Sequence, residues 1–260
     1  MNDTPYVLRE RTGPVLTLTL NRGDRFNPLS LAMLGALQAE LELAAASDAR
    51  VVILAAQGRG FCAGHDLKEM RSHAGDDAWQ RGLFDDCSRV MMALTRLPQP
   101  VIARVHGIAT AAGCQLVSMC DLAVAADTAT FALPGVNVGI FCSTPAVGVA
   151  RNVSRKRAME MLLTGQPIDA ATALAWGLVN RVVPAAGLDQ AVASFADVIV
   201  ARSQATIAIG KRTFYRQLDA GLDAAYQVAG EAMTCNMGYG DAAEGIDAFL
   251  GKRAPEWRGR

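Results

Sequence analysis

The hydrophobic residues in the first quarter of the chain follow two different spacings. In Val15–Leu20 (VLTLTL) apolar residues alternate with threonine, which predicts a β-strand with one buried face. In Leu29–Ala46 leucines recur at helical intervals among strong helix formers, which predicts an α-helix. Val51–Ala56 (VVILAA) is uninterrupted and apolar, as expected for a strand buried on both faces. The chain therefore begins as strand, helix, strand.

The same alternation continues to about residue 145. A helical segment, Asp76–Thr95, ends before Pro98, and the buried-strand patterns Val101–Val105 and Leu122–Ala126 follow it. Strands joined in this way imply right-handed crossovers, so we predict an α/β core. Beyond Pro145 the pattern predicts helices: Ala146–Arg151, Lys156–Leu163, Ala170–Trp176, Leu188–Arg202, Ala205–Ala220 and Leu222–Asn236.

Length and composition suit one large domain or one domain with an appendage. The chain has 260 residues, 51% of them hydrophobic, which is enough apolar material for a full core. We divide it into an α/β core over residues 1–200 and a C-terminal helical region over residues 201–260. No repeat or low-complexity linker separates the two, so we expect them to pack together.

Charge and cysteine usage exclude several classes of protein. Lys plus Arg and Asp plus Glu both number 25, and a neutral chain has no overall attraction for nucleic acid or an anionic membrane. The apolar stretches are interrupted and Met1–Pro14 is polar, so neither a membrane span nor a signal segment is predicted. The six cysteines form no Cys-x-x-Cys pair, so we interpret them as buried side chains and predict no metal site. We expect a cytoplasmic protein.

Two segments place small residues at the predicted start of a helix. Gly60–Met70 (GFCAGHDLKEM) follows a buried strand, and Asp66 is well placed to cap the next helix. Val105–Leu122 runs from a strand into residues with almost no side-chain volume. Unpaired N–H groups and the helix dipole make such starts suited to an anion or an oxyanion. The structural alternatives are a tight turn for the first segment and close helix packing for the second.

Together these segments resemble those of a known family. FCAGHDLKEM and VIARVHGIATAAGCQLVSMCDLAVAA are similar to the two signature segments of the crotonase, or enoyl-CoA hydratase/isomerase, family. The resemblance continues through LNRGDRFNPLS, FALPGVNVGI, LTGQPIDAATALAWGLVNRVVP and EGIDAFLGKRAPEW, and GVNVGIFCSTP most resembles one mitochondrial branch. It implies a crotonase-like α/β fold, a spiral of ββα units whose C-terminal helical region joins subunits into a homotrimer or a hexamer of two trimers.

The resemblance also implies a binding mode. In the family an acyl-coenzyme A thioester lies between the two segments, and two backbone N–H groups, here those of His65 and Ala112, hold its carbonyl oxygen. Negative charge builds on that oxygen as an enolate forms, and losing one such donor typically costs about 3–4 kcal/mol. Only the backbone of His65 is needed, so its imidazole is interpreted as a neighbour rather than a base. Coenzyme A enters as part of the substrate, and no permanently bound cofactor is expected.

Four residues match the family's coenzyme A site in the first half of the chain: Arg25, Ala63, Asp66 and Lys68. The two cations among them are candidate phosphate partners. Phe249 and Lys252 match C-terminal residues that reach the coenzyme of a neighbouring subunit. The alternative for each cation is a solvated surface charge.

The sequence departs from the family at both catalytic glutamates. Family hydratases use one to activate water and the other to deliver a proton. The first position is Gln115, whose amide can orient water but cannot take its proton, and the second is Gly135. Some related isomerases use an aspartate eight positions further on, which is Ser143 here; capping of a helix near Pro145 is the simpler interpretation. Cys142 could act only with a lowered pKa.

These departures leave several functions open. One hypothesis is an acyl-CoA enzyme that stabilises a thioester enolate, nominally an enoyl-CoA hydratase, with double-bond isomerisation and thioester hydrolysis as rival reactions. Another is an acyl-CoA-binding protein without efficient catalysis, which the missing glutamates favour. RNA binding, known for one relative, has only the basic cluster Arg151, Arg155, Lys156 and Arg157 in its support, and the neutral chain argues against it. We therefore expect neither a nucleic-acid nor a membrane partner.

Overall fold

Ten β-strands and eleven α-helices are formed by residues 4–259, the part of the chain that the computed structural model describes. The strands are β1 (Val7–Thr12), β2 (Val15–Leu20), β3 (Val51–Ala56), β4 (Gly60–Cys62), β5 (Val101–Val105), β6 (Ile108–Thr110), β7 (Leu122–Ala126), β8 (Thr130–Ala132), β9 (Ile168–Asp169) and β10 (Arg181–Val183). The helices are α1 (Leu31–Ala45), α2 (Leu67–Ser72), α3 (Asp77–Arg96), α4 (Ala112–Met119), α5 (Ser143–Val149), α6 (Arg155–Thr164), α7 (Ala170–Trp176), α8 (Leu188–Val200), α9 (Gln204–Leu218), α10 (Leu222–Met237) and α11 (Gly240–Leu250).

Within this range the strands form two sheets. The larger has the order β1-β2-β3-β5-β7-β10, in which only β1 and β2 pair antiparallel. The smaller has the order β4-β6-β8-β9, parallel except between β8 and β9. From β3 to β8 successive strands go to alternate sheets, and helices return the chain after each pair, because parallel neighbours need a crossover. This spiral of ββα units confirms the predicted crotonase-like α/β fold.

The larger sheet is covered on both faces. Val52 and Leu54 of β3 belong to the main core, which includes the leucines of β2 and α1. Val51, their neighbour on the same strand, packs instead with Leu188 and Val192 of α8 on the opposite face. Burial of each such side chain contributes about 1.5–3 kcal/mol. This two-sided burial explains why the β3 sequence shows no polar position.

The structure corrects the prediction of helices alone after Pro145. Two strands, β9 and β10, lie in that region, but they contain only two and three residues, which is too short for a periodic signal. The pattern also misses β1, an edge strand whose residues from Arg9 onward are exposed and polar, so that they show no apolar alternation.

A partly buried ion pair joins helix α9 to the core. Lys211 of α9 donates to Asp121 at 2.6 Å and to the carbonyl oxygens of Leu94 at 2.8 Å and Gln99 at 2.9 Å. The Tyr215 hydroxyl donates to the other oxygen of Asp121 at 2.9 Å. The boundary that we place between residues 200 and 201 falls between α8 and α9, and it stays a prediction.

No single helix among the described residues is long and apolar enough to cross a membrane, although the bent pair formed by residues 185–200 and 204–218 meets that criterion by its combined length and composition.

Candidate functional site

A cavity of about 480 Å³ lies between α2, α3, the start of α4 and the loop that joins β8 to α5. This volume falls in the usual range for sites that bind small molecules. Its wall is mostly apolar, and α2 and α3 supply Leu67, Met70 and Phe84. The two segments that the sequence singles out supply four more residues: Ala63, His65, Ala111 and Ala112.

The first segment forms a tight turn from β4 into α2. Gly64 has a φ of +86°, a conformation that an L side chain rarely adopts. The Leu29 N–H donates to the Gly64 carbonyl at 2.8 Å, which joins the turn to the loop before α1. The Asp66 carboxylate accepts from the N–H groups of Lys68 at 3.0 Å and Glu69 at 3.3 Å. This confirms Asp66 as the cap that fixes the turn.

The second segment begins α4 under strain. Ala111, the residue before Ala112, has a φ of 50°, which costs energy for a residue with a Cβ atom. A Cβ atom at Gly113 would collide with the carbonyl oxygen of Cys62 at the end of β4. The small residues of this segment therefore serve a close approach between α4 and β4.

The two segments meet at the cavity. A Cβ atom at Gly64 would lie 2.9 Å from the Ala111 Cβ and 3.2 Å from the backbone nitrogen of Ala112. His65 and Ala112 line the same cavity. Neither backbone N–H donates a hydrogen bond to another residue between positions 4 and 259. Two unpaired donors therefore border one apolar space.

The His65 side chain is held in one orientation. Its Nδ1 lies 3.2 Å from the Leu29 carbonyl oxygen, and its ring meets Phe84 edge-on with centroids 5.6 Å apart. Because a carbonyl can only accept, Nδ1 carries the proton of the neutral ring. Burial lowers the pKa of His65, and the bond to Leu29 opposes this only in part. Nε2 is buried and has no hydrogen-bond partner among the described residues.

The position of the first missing glutamate lies beside the cavity rather than on its wall. Gln115 is on α4 and only 4% exposed, and it does not belong to the residues that line the cavity. Its Oε1 is buried without a hydrogen-bond partner among the described residues. The predicted role of Gln115 in orienting water is therefore not supported by a contact between its side chain and the cavity.

The position of the second missing glutamate is enclosed by backbone. The Ile140 N–H donates to the Gly135 carbonyl at 2.9 Å, which folds the loop back on itself. A Cβ atom at Gly135 would collide with the Ile140 carbonyl oxygen and lie 2.8 Å from the Cys142 sulfur. A glutamate does not fit here unless the loop rearranges.

The polar run after this loop lines the cavity but does not cap a helix as predicted. Helix α5 begins at Ser143 rather than near Pro145, and Cys142 at the cap position makes no side-chain capping bond. The Ser143 hydroxyl is 3.4 Å from the Phe141 carbonyl oxygen. Burial raises the pKa of the Cys142 thiol, and an N–H from Gly135 opposes the shift only in part. This argues against Cys142 as an activated nucleophile.

Comparison with known proteins decides the family. The family model described as enoyl-CoA hydratase/isomerase matches residues 10–260. The chain belongs to the enoyl-CoA hydratase/isomerase family. It is 48% identical to the human "Enoyl-CoA hydratase domain-containing protein 3, mitochondrial" over 254 residues, 97% of this chain and 83% of that protein. The rat protein of the same name is 47% identical over 250 residues, 96% of this chain and 83% of that protein.

Solved structures give the same relationship. An enoyl-CoA hydratase from Mycobacterium smegmatis superposes with a TM-score of 0.96 at 53% identity, covering 98% of this chain and 99% of that one. The human domain-containing protein 3 superposes with a TM-score of 0.93 at 47% identity, covering 97% of this chain and 100% of that one. The branch that GVNVGIFCSTP resembles is that of domain-containing protein 3, and the comparisons confirm it. The names of the human and rat relatives say mitochondrial, which does not agree with the cytoplasmic location that we expected.

The residues matched to the family's coenzyme A site fall into two groups. Arg25 pairs with Asp66 at 2.7 Å, and both line a pocket of about 200 Å³. Lys68 is exposed at the start of α2, close to them in sequence. Phe249 is 82% exposed at the end of α11, and neither it nor Lys252 lines the larger cavity. Within a single chain, Phe249 and Lys252 therefore do not line the cavity.

The cysteines and the basic cluster find structural roles. Five cysteines are buried as predicted, but Cys235 on α10 is exposed, so the prediction of a buried side chain is wrong at that position. Burial raises the pKa of the Cys62 and Cys114 thiols to about 12. In the basic cluster Arg151 pairs with Asp219 at 3.3 Å, and Arg157 donates to the Ala175 carbonyl at 3.2 Å. Two of its four charges therefore make contacts within the chain.

Sequence reasoning missed the apolar wall of the site. Leu67, Met70 and Phe84 occupy helical positions that a pattern cannot distinguish from core positions. Asn137 and Ile140 come from a loop without periodicity. The sequence signal available for this wall was the motif FCAGHDLKEM, because it contains the turn that leads into α2.

Proposed function

We propose that this protein binds an acyl-CoA thioester and stabilises negative charge on its carbonyl oxygen between the amides of His65 and Ala112. The supporting observation is that two unpaired backbone donors border one apolar cavity. Donors that are fixed in advance need no reorganisation as charge develops, and each is typically worth about 3–4 kcal/mol in such sites. Coenzyme A would be part of the substrate rather than a bound cofactor.

Ordinary hydration is the family reaction that this site supports least. Hydration needs a group to activate water and a group to deliver a proton. No carboxylate lies among the described residues that line the cavity, and the site of the second glutamate is filled by the backbone of the Gly135 loop. We infer that this protein hydrates enoyl-CoA slowly. We infer that it instead catalyses a reaction through an enolate, such as proton exchange or a double-bond shift. Binding without efficient turnover is the second candidate, and the same lack of carboxylates favours it.

Two measurements on the full chain test this proposal. One follows hydration of crotonyl-CoA, with a family hydratase that keeps both glutamates as the reference. The other titrates acetyl-CoA, with free coenzyme A as the control for binding through the nucleotide part. We expect acetyl-CoA to bind more tightly than coenzyme A, and hydration to be far slower than in the reference enzyme. Absence of acetyl-CoA binding would overturn the proposal, and fast hydration would overturn the inferred chemistry.

Assembly belongs to the same proposal. Helix α10 carries no buried residue within the single chain. Its apolar side chains Leu222, Tyr226 and Met233 are exposed. We infer that these helices are covered in a homotrimer or a hexamer, and that Phe249 and Lys252 reach the coenzyme of a neighbouring subunit while Arg25 and Lys68 reach their own. Sedimentation that shows only monomer at micromolar concentration would contradict this.

The location of the protein is also still a prediction. A cytoplasmic location follows only from the sequence reasoning, whereas the rat and human relatives are named mitochondrial. Fractionation of the cells that make the protein decides between these compartments.

A further inference from the structure

The loop between β8 and α5 presents apolar side chains to solvent at the cavity. Val138, Ile140 and Phe141 all line the cavity, and each of them is between 43% and 60% exposed. We call these three residues the loop rim. Apolar side chains that are exposed singly are normal, whereas a cluster of them beside a cavity is typical of a ligand-binding groove. The loop rim is therefore a candidate contact for an apolar ligand.

The backbone of this loop has a defined turn. The Ile140 N–H donates to the Gly135 carbonyl at 2.9 Å, and Gly139 between them has a φ of +74°, a conformation that glycine adopts readily. The Asn137 side chain packs against α6 at its end, where a Cβ atom on Gly165 would lie 3.0 Å from the Asn137 Oδ1. The turn therefore sets the position of the loop rim before any ligand binds.

The cavity connects the buried amide end of the site with the loop rim. Ala112 is completely buried, Met70 and Phe84 are partly buried, and the loop rim is exposed, yet all of them line the same space. An acetyl group would occupy only a small part of its volume of about 480 Å³. A longer apolar chain that starts at the amides can cover both the inner wall and the loop rim.

The charges around the cavity indicate which part of an acyl-CoA lies on the loop rim. No lysine, arginine, aspartate or glutamate is among the described residues that line the cavity. Arg25 and Asp66 line the smaller pocket, which shares no wall residue with the cavity. Phosphates and charged acyl groups would find no partner at the loop rim, and burying an unpaired charge is costly. The loop rim suits the alkyl part of the molecule.

We propose that this site selects uncharged medium- to long-chain acyl groups, and that the loop rim binds the distal methylenes of the chain. The inference rests on the proposed function, since the thioester must lie at the amides of His65 and Ala112. Removing the loop rim and the alkyl chain from water together supplies the free energy, which grows with each methylene added. The three residues of the loop rim thus determine specificity and take no part in the chemistry.

The test is calorimetric titration of the full chain with acetyl-CoA, octanoyl-CoA and dodecanoyl-CoA, each below the concentration at which it forms micelles. Phe141→Ser removes the largest side chain of the loop rim. Val138→Thr replaces one methyl group by a hydroxyl and serves as a second variant in case the first folds poorly. Val147→Thr is the matched control, because Val147 is 52% exposed on α5 and does not line the cavity.

We expect the unmodified protein to bind dodecanoyl-CoA at least about tenfold more tightly than octanoyl-CoA, since partial burial of four more methylenes gives less than the roughly fourfold per methylene of complete burial. The ratio of dodecanoyl-CoA to acetyl-CoA affinity should fall by about tenfold in Phe141→Ser and by a smaller factor in Val138→Thr. Val147→Thr should keep the ratio of the unmodified protein.

Three results would overturn this inference alone. They are equal affinity for octanoyl-CoA and dodecanoyl-CoA, an unchanged ratio in both loop-rim variants, and equal weakening of acetyl-CoA and dodecanoyl-CoA. An unchanged ratio together with altered sedimentation of Phe141→Ser would assign the loop rim to a subunit contact instead. Absence of acetyl-CoA binding to the unmodified protein would overturn the proposed function as well.

Discussion

Substitution of Gly64 by alanine tests the contact between the two segments. The residue has a φ of +86°, and a left-handed conformation costs a residue with a side chain about 1–2 kcal/mol. Its new methyl group would lie 2.9 Å from the Ala111 Cβ and 3.2 Å from the Ala112 nitrogen. Overpacking of this kind typically costs a further 1–3 kcal/mol or so. We expect a total loss of about 2–5 kcal/mol from the free energy of unfolding.

Gly75→Ala separates the two contributions. Gly75 has a φ of +84° and no atom within 4 Å of an added Cβ, so this variant carries the backbone strain alone. Denaturant unfolding of both variants should place Gly64→Ala about 1–3 kcal/mol below Gly75→Ala. Titration with acetyl-CoA should show binding weaker by about tenfold or more in Gly64→Ala only, since tenfold corresponds to about 1.4 kcal/mol. Equal stability and equal affinity in the two variants would refute the close contact at the amides.

Three further predictions concern the loop, the cavity wall and the partly buried ion pair. Gly135→Glu should lower the unfolding free energy by about 1–3 kcal/mol and fail to raise crotonyl-CoA hydration, because the Ile140 carbonyl fills the space of the new side chain; a large gain in hydration would contradict this. Affinity in a titration series from acetyl-CoA to octanoyl-CoA should rise by up to about fourfold per methylene, because the wall is apolar, and a flat series would count against the acyl site. Lys211→Met should lower the unfolding free energy by about 3 kcal/mol, because it removes the cation from a partly buried pair and leaves the Asp121 carboxylate with hydrogen bonds from Tyr215 and Val101 only; the exposed control Lys156→Met should change it by less than about 0.5 kcal/mol.

The sequence predicted the larger sheet better than the smaller one. The bounds of β2, β3, β5 and β7 agree with the predicted strands, because an alternating or continuous apolar run over five or six residues is a strong signal. The strands β4, β6 and β8 have only three residues each, so periodicity cannot reveal them. The meeting of the two segments depends on this smaller sheet, and only the family resemblance anticipated it.

The candidate site shows a similar division. Gln115 and Gly135 were visible as departures from the family pattern, since a motif reports side chains. The folding of the loop over Gly135 was not visible, because it depends on a backbone hydrogen bond from Ile140. The fixed tautomer of His65 likewise depends on the Leu29 carbonyl, which is 36 positions away in the chain. Such contacts follow from tertiary structure and leave no local signal.

A crystal structure with a bound acyl-CoA thioester tests the central claim most directly. The account predicts one thioester oxygen within about 2.7–3.1 Å of both backbone nitrogens, those of His65 and Ala112. An oxygen that contacts neither nitrogen, or a thioester bound outside the cavity between α2, α3 and the Gly135 loop, would contradict it.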